Sequence, residues 1–241
     1  MITIAVFGAN GFVGSSLCSS LISVSKYKVV PITRTSYSEH IGKSYDVVIN
    51  SAHPAARFRA KNNPEEDFQE TVQKTADIFY KCKFEKFVHI STVSARCQLD
   101  TVYGRHKLAA ENICNDGKSL IVRLGSMFGN QLKKGVLIDM MKGRKVFVDG
   151  ESRYNFSSVK YITDYISSNL HLSGIIDVGA YNTVRMIDIA KHLQMPIEFE
   201  GQLDIQETQN PDSNSPDAKD VFKFLDKMKN QITTPLITKS E

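Results

Sequence analysis

The chain has 241 residues, 41% of them hydrophobic and 23% charged, with a formal net charge of +4. That length suits one large domain, or one domain with a small lobe, of ordinary globular composition. The mild positive balance fits an anionic small-molecule ligand and is too weak for a nucleic-acid binder; no apolar run approaches the ~20 residues that span a bilayer.

In chain order, residues 2–7 are a short apolar run ended by Gly8, which predicts a strand buried on both faces of a parallel sheet. Residues 12–23 carry Val13, Leu17 and Leu21 at helical spacing, and residues 27–32 predict the second strand. Only residues 35–45 lie between Arg34 and Asp46, too few for a full helix and a strand, so an element is lost or abbreviated there. Strands are predicted at 46–50, 87–91 and 119–124. A helix over 64–82 opens on Pro64 with Glu65, Glu66 and Asp67 at the positive end of its dipole. Further on, the pattern predicts a helix at 134–142, a strand at 145–148, a helix at 161–172 and a late strand at 175–178. A polar loop follows at 206–217, then a helix at 218–229 and a weakly specified tail. Alternating strands and helices predict an α/β fold, a Rossmann-like doubly wound parallel sheet. The core spans 1–125 with 161–179 returning to it; 126–160 and 180–241 form a small C-terminal substrate lobe.

Cys18, Cys82, Cys97 and Cys114 have no C-x-x-C spacing and no histidine at ligand intervals, which predicts reduced thiols, a cytoplasmic protein and no metal site. Met1 runs straight into the first strand, leaving no room for a cleavable leader. His53, His89 and His106 lack paired ligands and read as structurally satisfied. Lys133, Lys134, Lys142, Arg144 and Lys145 form either a solvated helix face or a basic set that attracts a diphosphate.

Gly8, Asn10, Gly11, Phe12, Val13 and Gly14 occupy a G-x-x-G-x-x-G turn between the first strand and helix. Glycines there allow the tight turn, close approach of a phosphate and close helix–strand packing, and the helix start offers N–H groups to a pyrophosphate. The alternative is a plain strand–helix turn. At the end of the second strand stand Thr33 and Arg34 with no carboxylate. Arg34 is then either a partner for a 2′-phosphate, which favours NADP(H) over NAD(H), or a solvated surface residue.

Tyr103 and Lys107 are four residues apart, so a helix puts phenol and ammonium on one face. A free tyrosine titrates near ~10, and a fixed cation beside it favours phenolate. Beside a dinucleotide fold, that pair predicts proton exchange at an enzyme's active site.

These residues resemble the extended short-chain dehydrogenase/reductase family, the NAD-dependent epimerase/dehydratase group acting on nucleotide sugars. The resemblance runs to about residue 190. Gly8 to Gly14 is similar to the family's glycine motif and Asn50-Ser51-Ala52 to its Asn-Ala-Ala turn. Val88-His89-Ile90-Ser91-Thr92 resembles the strand bearing the catalytic hydroxyl, and residues 102–111 its Tyr-x-x-x-Lys helix. Arg123-Leu124-Gly125-Ser126-Met127-Phe128-Gly129 resembles its Arg-Pro-x-x-x-Tyr-Gly stretch. The resemblance implies that Thr92 bonds the reacting sugar oxygen, Tyr103 exchanges its proton, and Lys107 binds nicotinamide ribose and lowers the tyrosine pKa. Asn50, Ser51 and Ala52 join the cofactor site, Ser126 and Arg153 the substrate site, and the protein pairs as a homodimer.

The family's dehydratases follow the threonine with Asp-Glu; Val93-Ser94 stand here, which disfavours dehydration. The leading expectation is NADP(H)-dependent reduction of a nucleotide-linked 4-keto-6-deoxy sugar. An NAD-dependent C4-epimerase is the alternative, and a non-catalytic dinucleotide sensor or scaffold is a third.

Overall fold

Five apolar runs of the first half and one late run become strands, because each can be covered on both faces. They are β1 (Ile2–Phe7), β2 (Tyr27–Ile32), β3 (Ser44–Asn50), β4 (Lys83–Thr92), β5 (Leu120–Leu124) and β6 (Gly174–Val178). In this computed structural model they form one parallel sheet ordered β2-β1-β3-β4-β5-β6. The structure describes residues 1–233; the tail predicted beyond, and the lobe's share of 234–241, lie outside the described residues. The fold is therefore the expected Rossmann-like one.

Alternate side chains along the strands supply two cores. Ile4, Val6, Ile49, Val88 and Ile90 pack with Leu17 and Leu21 of helix α1 (Phe12–Ile22) on one face. Ala5, Phe7, Val48, Phe87 and Ile121 pack with Ile78 and Cys114 on the other. A third apolar cluster gathers Phe128, Leu137, Tyr154, Phe156, Met186, Val221 and Leu225.

Strand β1 pairs with β2 on one side and β3 on the other, so the winding reverses between β1 and β3. Ligands of open α/β sheets bind at that crevice, beyond the carboxyl ends of the strands. The short connection after β2 holds only the four-residue helix Tyr37–His40, and β2 ends the sheet. The predicted loss of an element is this missing strand.

Three local expectations change. Residues 145–148 form no strand; Val146 makes a lone bridge to Phe199. At the start of the loop predicted over 206–217, Ile205–Gln206 pairs with Arg153–Tyr154. The helix predicted over 64–82 is a run in three parts, Pro64–Phe68, a π-helical turn Gln69–Gln73, and Lys74–Lys81.

Helix α2 (Val102–Cys114) carries the Tyr–Lys pair. Thr101 caps it, accepting from the Gly104 amide at 3.0 Å. Gly104 lets it lie close to the preceding turn, since a Cβ there would sit 2.0 Å from the Gln98 carbonyl oxygen. Buried Glu111 anchors its last turns. One carboxylate accepts from the Ser91 hydroxyl of β4 at 2.5 Å and from Arg123 of β5 through Nη2 at 2.6 Å and Nε at 2.9 Å. Helix α3 (Val159–Ser168) lies on α1, with Ser16 and Thr163 hydroxyls 3.1 Å apart.

Removing one partner of a buried ion pair costs roughly 3 kcal/mol or more. Glu111→Ala is therefore expected to lower Tm by roughly 6–12 °C, the size of shift such a loss gives in a chain of this length. Thermal unfolding followed by circular dichroism checks this, and an unchanged Tm would show that the anchor carries no stability.

Candidate active site

The carboxyl ends of β1 to β5 bring most of the predicted residues to one edge of the sheet. At the end of β1, Gly8 adopts φ +84°, and a Cβ on it would meet the Ser51 carbonyl oxygen at 2.6 Å. A Cβ on Gly14 would sit 2.1 Å from the Gly8 carbonyl oxygen, so helix and turn can pack this closely only with glycine. Gly11 differs. It is exposed, and its only crowding neighbour is the Gly8 oxygen at 3.1 Å. As N-cap of α1 it provides no side-chain cap, which leaves first-turn N–H groups at Phe12 and Val13 open to an anion. Asn10 is exposed beside them. This cradle fits a dinucleotide pyrophosphate.

At the end of β2, the Thr33 amide donates to the Ser36 hydroxyl at 3.0 Å, and Arg34 is 84% exposed. Its guanidinium is 3.5 Å from Glu70, which also pairs with Lys74. A carboxylate thus stands beside Arg34 after all. It comes from the π-helical turn, a neighbour that sequence order gave no reason to expect. After β3, Asn50 is buried, its amide spent on the Thr75 hydroxyl (3.1 Å) and the Ala52 N–H (3.1 Å). The Ser51 hydroxyl donates to the Phe7 carbonyl at 2.7 Å. These two side chains brace the turn from below, and Ala52 follows them at its rim.

Tyr103 and Lys107 are both buried and share one helical face, with the ammonium 5.2 Å from the Tyr103 ring centroid. Burial pushes the phenol up to about 12, against the pull of Arg57 and a hydrogen bond with Thr92, and with a push from Asp67. Arg57 is thus a cation that favours phenolate and that the sequence did not point to. Burial also brings Lys107 down to about 7, opposed by Asp67 and Glu111. Thr92 closes β4 next to the phenol, and its hydroxyl accepts from the Ser94 amide at 3.3 Å. The Thr92 hydroxyl is thus held by a backbone N–H while it lies beside the phenol. Val93 and Ser94, the residues in the dehydratase positions, are buried.

Arg57 belongs to a cluster that the sequence did not reveal. Asp204 accepts from Arg57 (2.7 Å), Tyr154 (2.6 Å), Gln98 (2.7 Å) and Gln206 (3.0 Å). It ties the segment after β3 to residues 147 positions further along the chain. Only tertiary folding brings these groups together, so no local pattern announces them. Ser126 joins through Gln206 at 3.1 Å. Arg153 does not. Successive strand residues point to opposite faces, and Tyr154 takes the one toward Arg57 while Arg153 stays exposed. Of the basic set, Arg144 pairs with Asp139 and Lys145 with Glu198 and Glu200, while Lys133, Lys134 and Lys142 are exposed.

The four cysteines are free. Among the described residues no cluster of three or more His, Cys, Asp or Glu is placed to hold a metal, and no helix is long and apolar enough to cross a membrane.

The model of the NAD dependent epimerase/dehydratase family matches residues 4–172. Comparison with curated proteins finds no match. Among solved structures, the chain is similar to dTDP-4-dehydrorhamnose reductase of Bacillus anthracis in complex with NADP, with 15% identity, TM-score 0.72, and 95% of this chain and 99% of that one covered. MoeE5 in complex with UDP-glucose and NAD gives 15%, 0.75, 97% and 100%. UDP-N-acetylglucosamine 4-epimerase of Methanobrevibacter ruminantium gives 18%, 0.73, 93% and 96%. At these identities the likeness establishes the fold.

The Asp204 cluster makes a pH-dependent prediction. Burial would raise its carboxyl, but Arg57, Tyr154 and Gln206 outweigh burial and hold it below its ordinary value. A depressed folded-state pKa contributes stability that is present above the unfolded value near ~3.9 and is lost as pH falls through the folded value. Asp204→Asn should be less stable than the parent by roughly 1–3 kcal/mol at neutral pH. That gap should narrow below about pH 4. Urea unfolding at both pH values checks this, and a gap that stays constant would detach the charge of Asp204 from the clasp.

Proposed function

The chain belongs to the NAD dependent epimerase/dehydratase family, and from that premise we propose that it is an NADP(H)-dependent reductase of a nucleotide-linked 4-keto-6-deoxy sugar. The observation that carries this reading is the placement of Tyr103, buried beside Thr92 and Lys107 at the carboxyl ends of the strands, where its phenol is a proton donor at neutral pH. A reductase needs its tyrosine loaded as an acid, because hydride arriving at a carbonyl carbon leaves charge on oxygen. An epimerase must first oxidise, and so needs the same tyrosine as a base.

Gly8 to Gly14 cradle the pyrophosphate, with Thr33 and Arg34 at the adenosine end, the backbone of Asn50, Ser51 and Ala52 along one wall, and Lys107 at the nicotinamide ribose. When bound, the dinucleotide supplies the hydride. Thr92 donates a hydrogen bond to the sugar oxygen and orients it toward Tyr103. The Tyr103 O–H bond breaks as its proton passes to that oxygen, and Arg57 stabilises the tyrosinate left behind. Ser126 and the lobe formed by 126–160 and 180–233 hold the rest of the substrate. Arg153, exposed on the far face, has no part in this proposal. With Val93 and Ser94 after the threonine, no carboxylic acid is placed there to expel water.

Partner and setting follow the same reading. Phe58 and Phe68, 77% and 46% exposed beside the site, suit a homodimer, and four free thiols suit a reducing cytoplasm.

One observation favours a second reading, an NAD-dependent C4-epimerase. Glu70 beside Arg34 is a carboxylate of the sort that accepts from ribose hydroxyls. The dinucleotide that co-purifies decides between them. Tightly held NAD would identify the epimerase, whereas an empty protein that takes up NADPH fits the reductase.

Arg34→Asp should weaken NADPH binding about tenfold by removing a charge-assisted pair. Equal affinities in a fluorescence titration would take Arg34 out of the site. Tyr103→Phe keeps the ring but not the proton, so turnover of a keto-sugar nucleotide should fall by roughly 10²–10⁴ while cofactor affinity holds. Near-normal turnover in a variant of native circular dichroism would overturn the mechanism.

A further inference from the structure

His53 has no part in the reading above, yet it touches the lysine that does. Its Nδ1 is 2.5 Å from Lys107 Nζ, which also donates to the Pro54 carbonyl at 2.8 Å. An ammonium carries three donors and no acceptor. His53 Nδ1 must therefore accept while Lys107 is charged, which fixes the neutral Nε2–H tautomer. That Nε2 lies out of solvent with no hydrogen bond of full geometry, the Ile90 backbone being the ring's other polar neighbour. The His53 ring packs at 5.2 Å from the ring of His89, whose own Nε2 is buried and unpartnered. His89 Nδ1 is 3.4 Å from the Asn50 amide nitrogen.

Two imidazoles buried side by side, one with its Nε2 unpartnered, are costly. An imidazole placed only to fill space would be replaced at lower cost by a leucine or a phenylalanine. What an apolar residue cannot do is accept a proton from Lys107.

We propose that His53 is a positioning residue for Lys107, whose Nδ1 accepts one ammonium hydrogen bond and so keeps the buried lysine charged beside Tyr103. The inference rests on the proposed function only in placing Lys107 at the ribose.

The charges around the pair are few and can be named. Asp67, Glu111 and Tyr103 face Lys107, with Arg57 facing Tyr103; Lys107, His89 and Lys74 face His53. Burial first, then Lys107, then His89, drives His53 well below the ordinary histidine value, and burial with Lys107 takes His89 to about 3. Both rings are thus neutral at any pH where the lysine matters. Lys107, at about 7, is the group of this trio that titrates near neutrality. A neutral acceptor favours the protonated amine, so loss of His53 should lower the Lys107 pKa by about one unit, the worth of one charge-assisted bond.

The test compares NADPH binding across pH in the parent, His53→Phe and His53→Gln. Binding that needs the ammonium is full below the Lys107 pKa and falls as pH rises through it. In the parent that midpoint is expected at about 7. In His53→Phe it should move to about 6, so that affinity at pH 7 is roughly fivefold weaker. His53→Gln, which retains a carbonyl acceptor, should stay within about twofold of the parent. A His53→Phe protein that is merely less stable, with the midpoint unmoved, would overturn the proposal.

Nitrogen-15 NMR of the histidines in the unaltered protein, with His53 assigned from the Gln variant, gives a second readout that needs no ligand and no apolar substitution. The expected signal is the Nε2–H tautomer, changing in Lys107→Met; an Nδ1–H tautomer or a charged ring would overturn the proposal. Should the parent bind neither NADPH nor NADH, the proposed function fails, while the NMR result still decides the role of His53.

Discussion

The buried carboxylate of Glu111 is the contact on which the site's geometry depends. Helix α2 must lie across the ends of β4 and β5 so that Tyr103 meets Thr92, and a helix is free to slide or roll on an apolar sheet. A charge in the interior removes that freedom, because Glu111 is satisfied only where Ser91 and Arg123 reach it together. Gly104 adds a steric limit at the other end, letting the first turn settle within contact of Gln98. Between a polar pin and a missing side chain, the helix has one seat. Tyr103 and Lys107 inherit their positions from it.

Once seated, the site is governed by desolvation. Burial moves Tyr103 up and Lys107, His53 and His89 down, each toward its neutral form. The charged groups that remain close, Arg57, Asp67 and Glu111, act on this dry background and are therefore felt strongly. The result differs from a simple pairing of phenol and ammonium. Arg57 also acts on the phenol, and the lysine has uncharged acceptors, Pro54 and His53, for its hydrogen bonds.

Much of the frame was legible because it is written in local periodicity. The strand runs and the α1 spacing follow from burial on two faces, and the gap between Arg34 and Asp46 was short enough to foretell a lost or abbreviated element. The glycine turn and the Tyr103–Lys107 spacing were legible for the same reason, being local. What stayed hidden came from distance or from an irregularity. Arg57 and Asp204 belong to segments far apart in sequence, and His53 meets Lys107 only after β3 and α2 are in place. The π-helical turn at Gln69–Gln73 leaves no mark in an ordinary helical pattern, yet it supplies Glu70 to Arg34. The 145–148 run has strand-like residues, but among the described residues its one ladder partner is Phe199, so propensity was not enough to make a strand.

The abbreviated connection after β2 has a consequence for how molecules meet one another. Among the described residues no strand lies beyond it, so β2 forms a sheet edge, the arrangement that invites sheets of separate molecules to join edge to edge. Pro31 sits in that strand, opposite Val6, and is exposed. It has no N–H to offer a newcomer, and the exposed Lys28 brings charge to the same short strand. Losing one strand thus uncovers an edge that a proline and a lysine keep unattractive to a stacking neighbour.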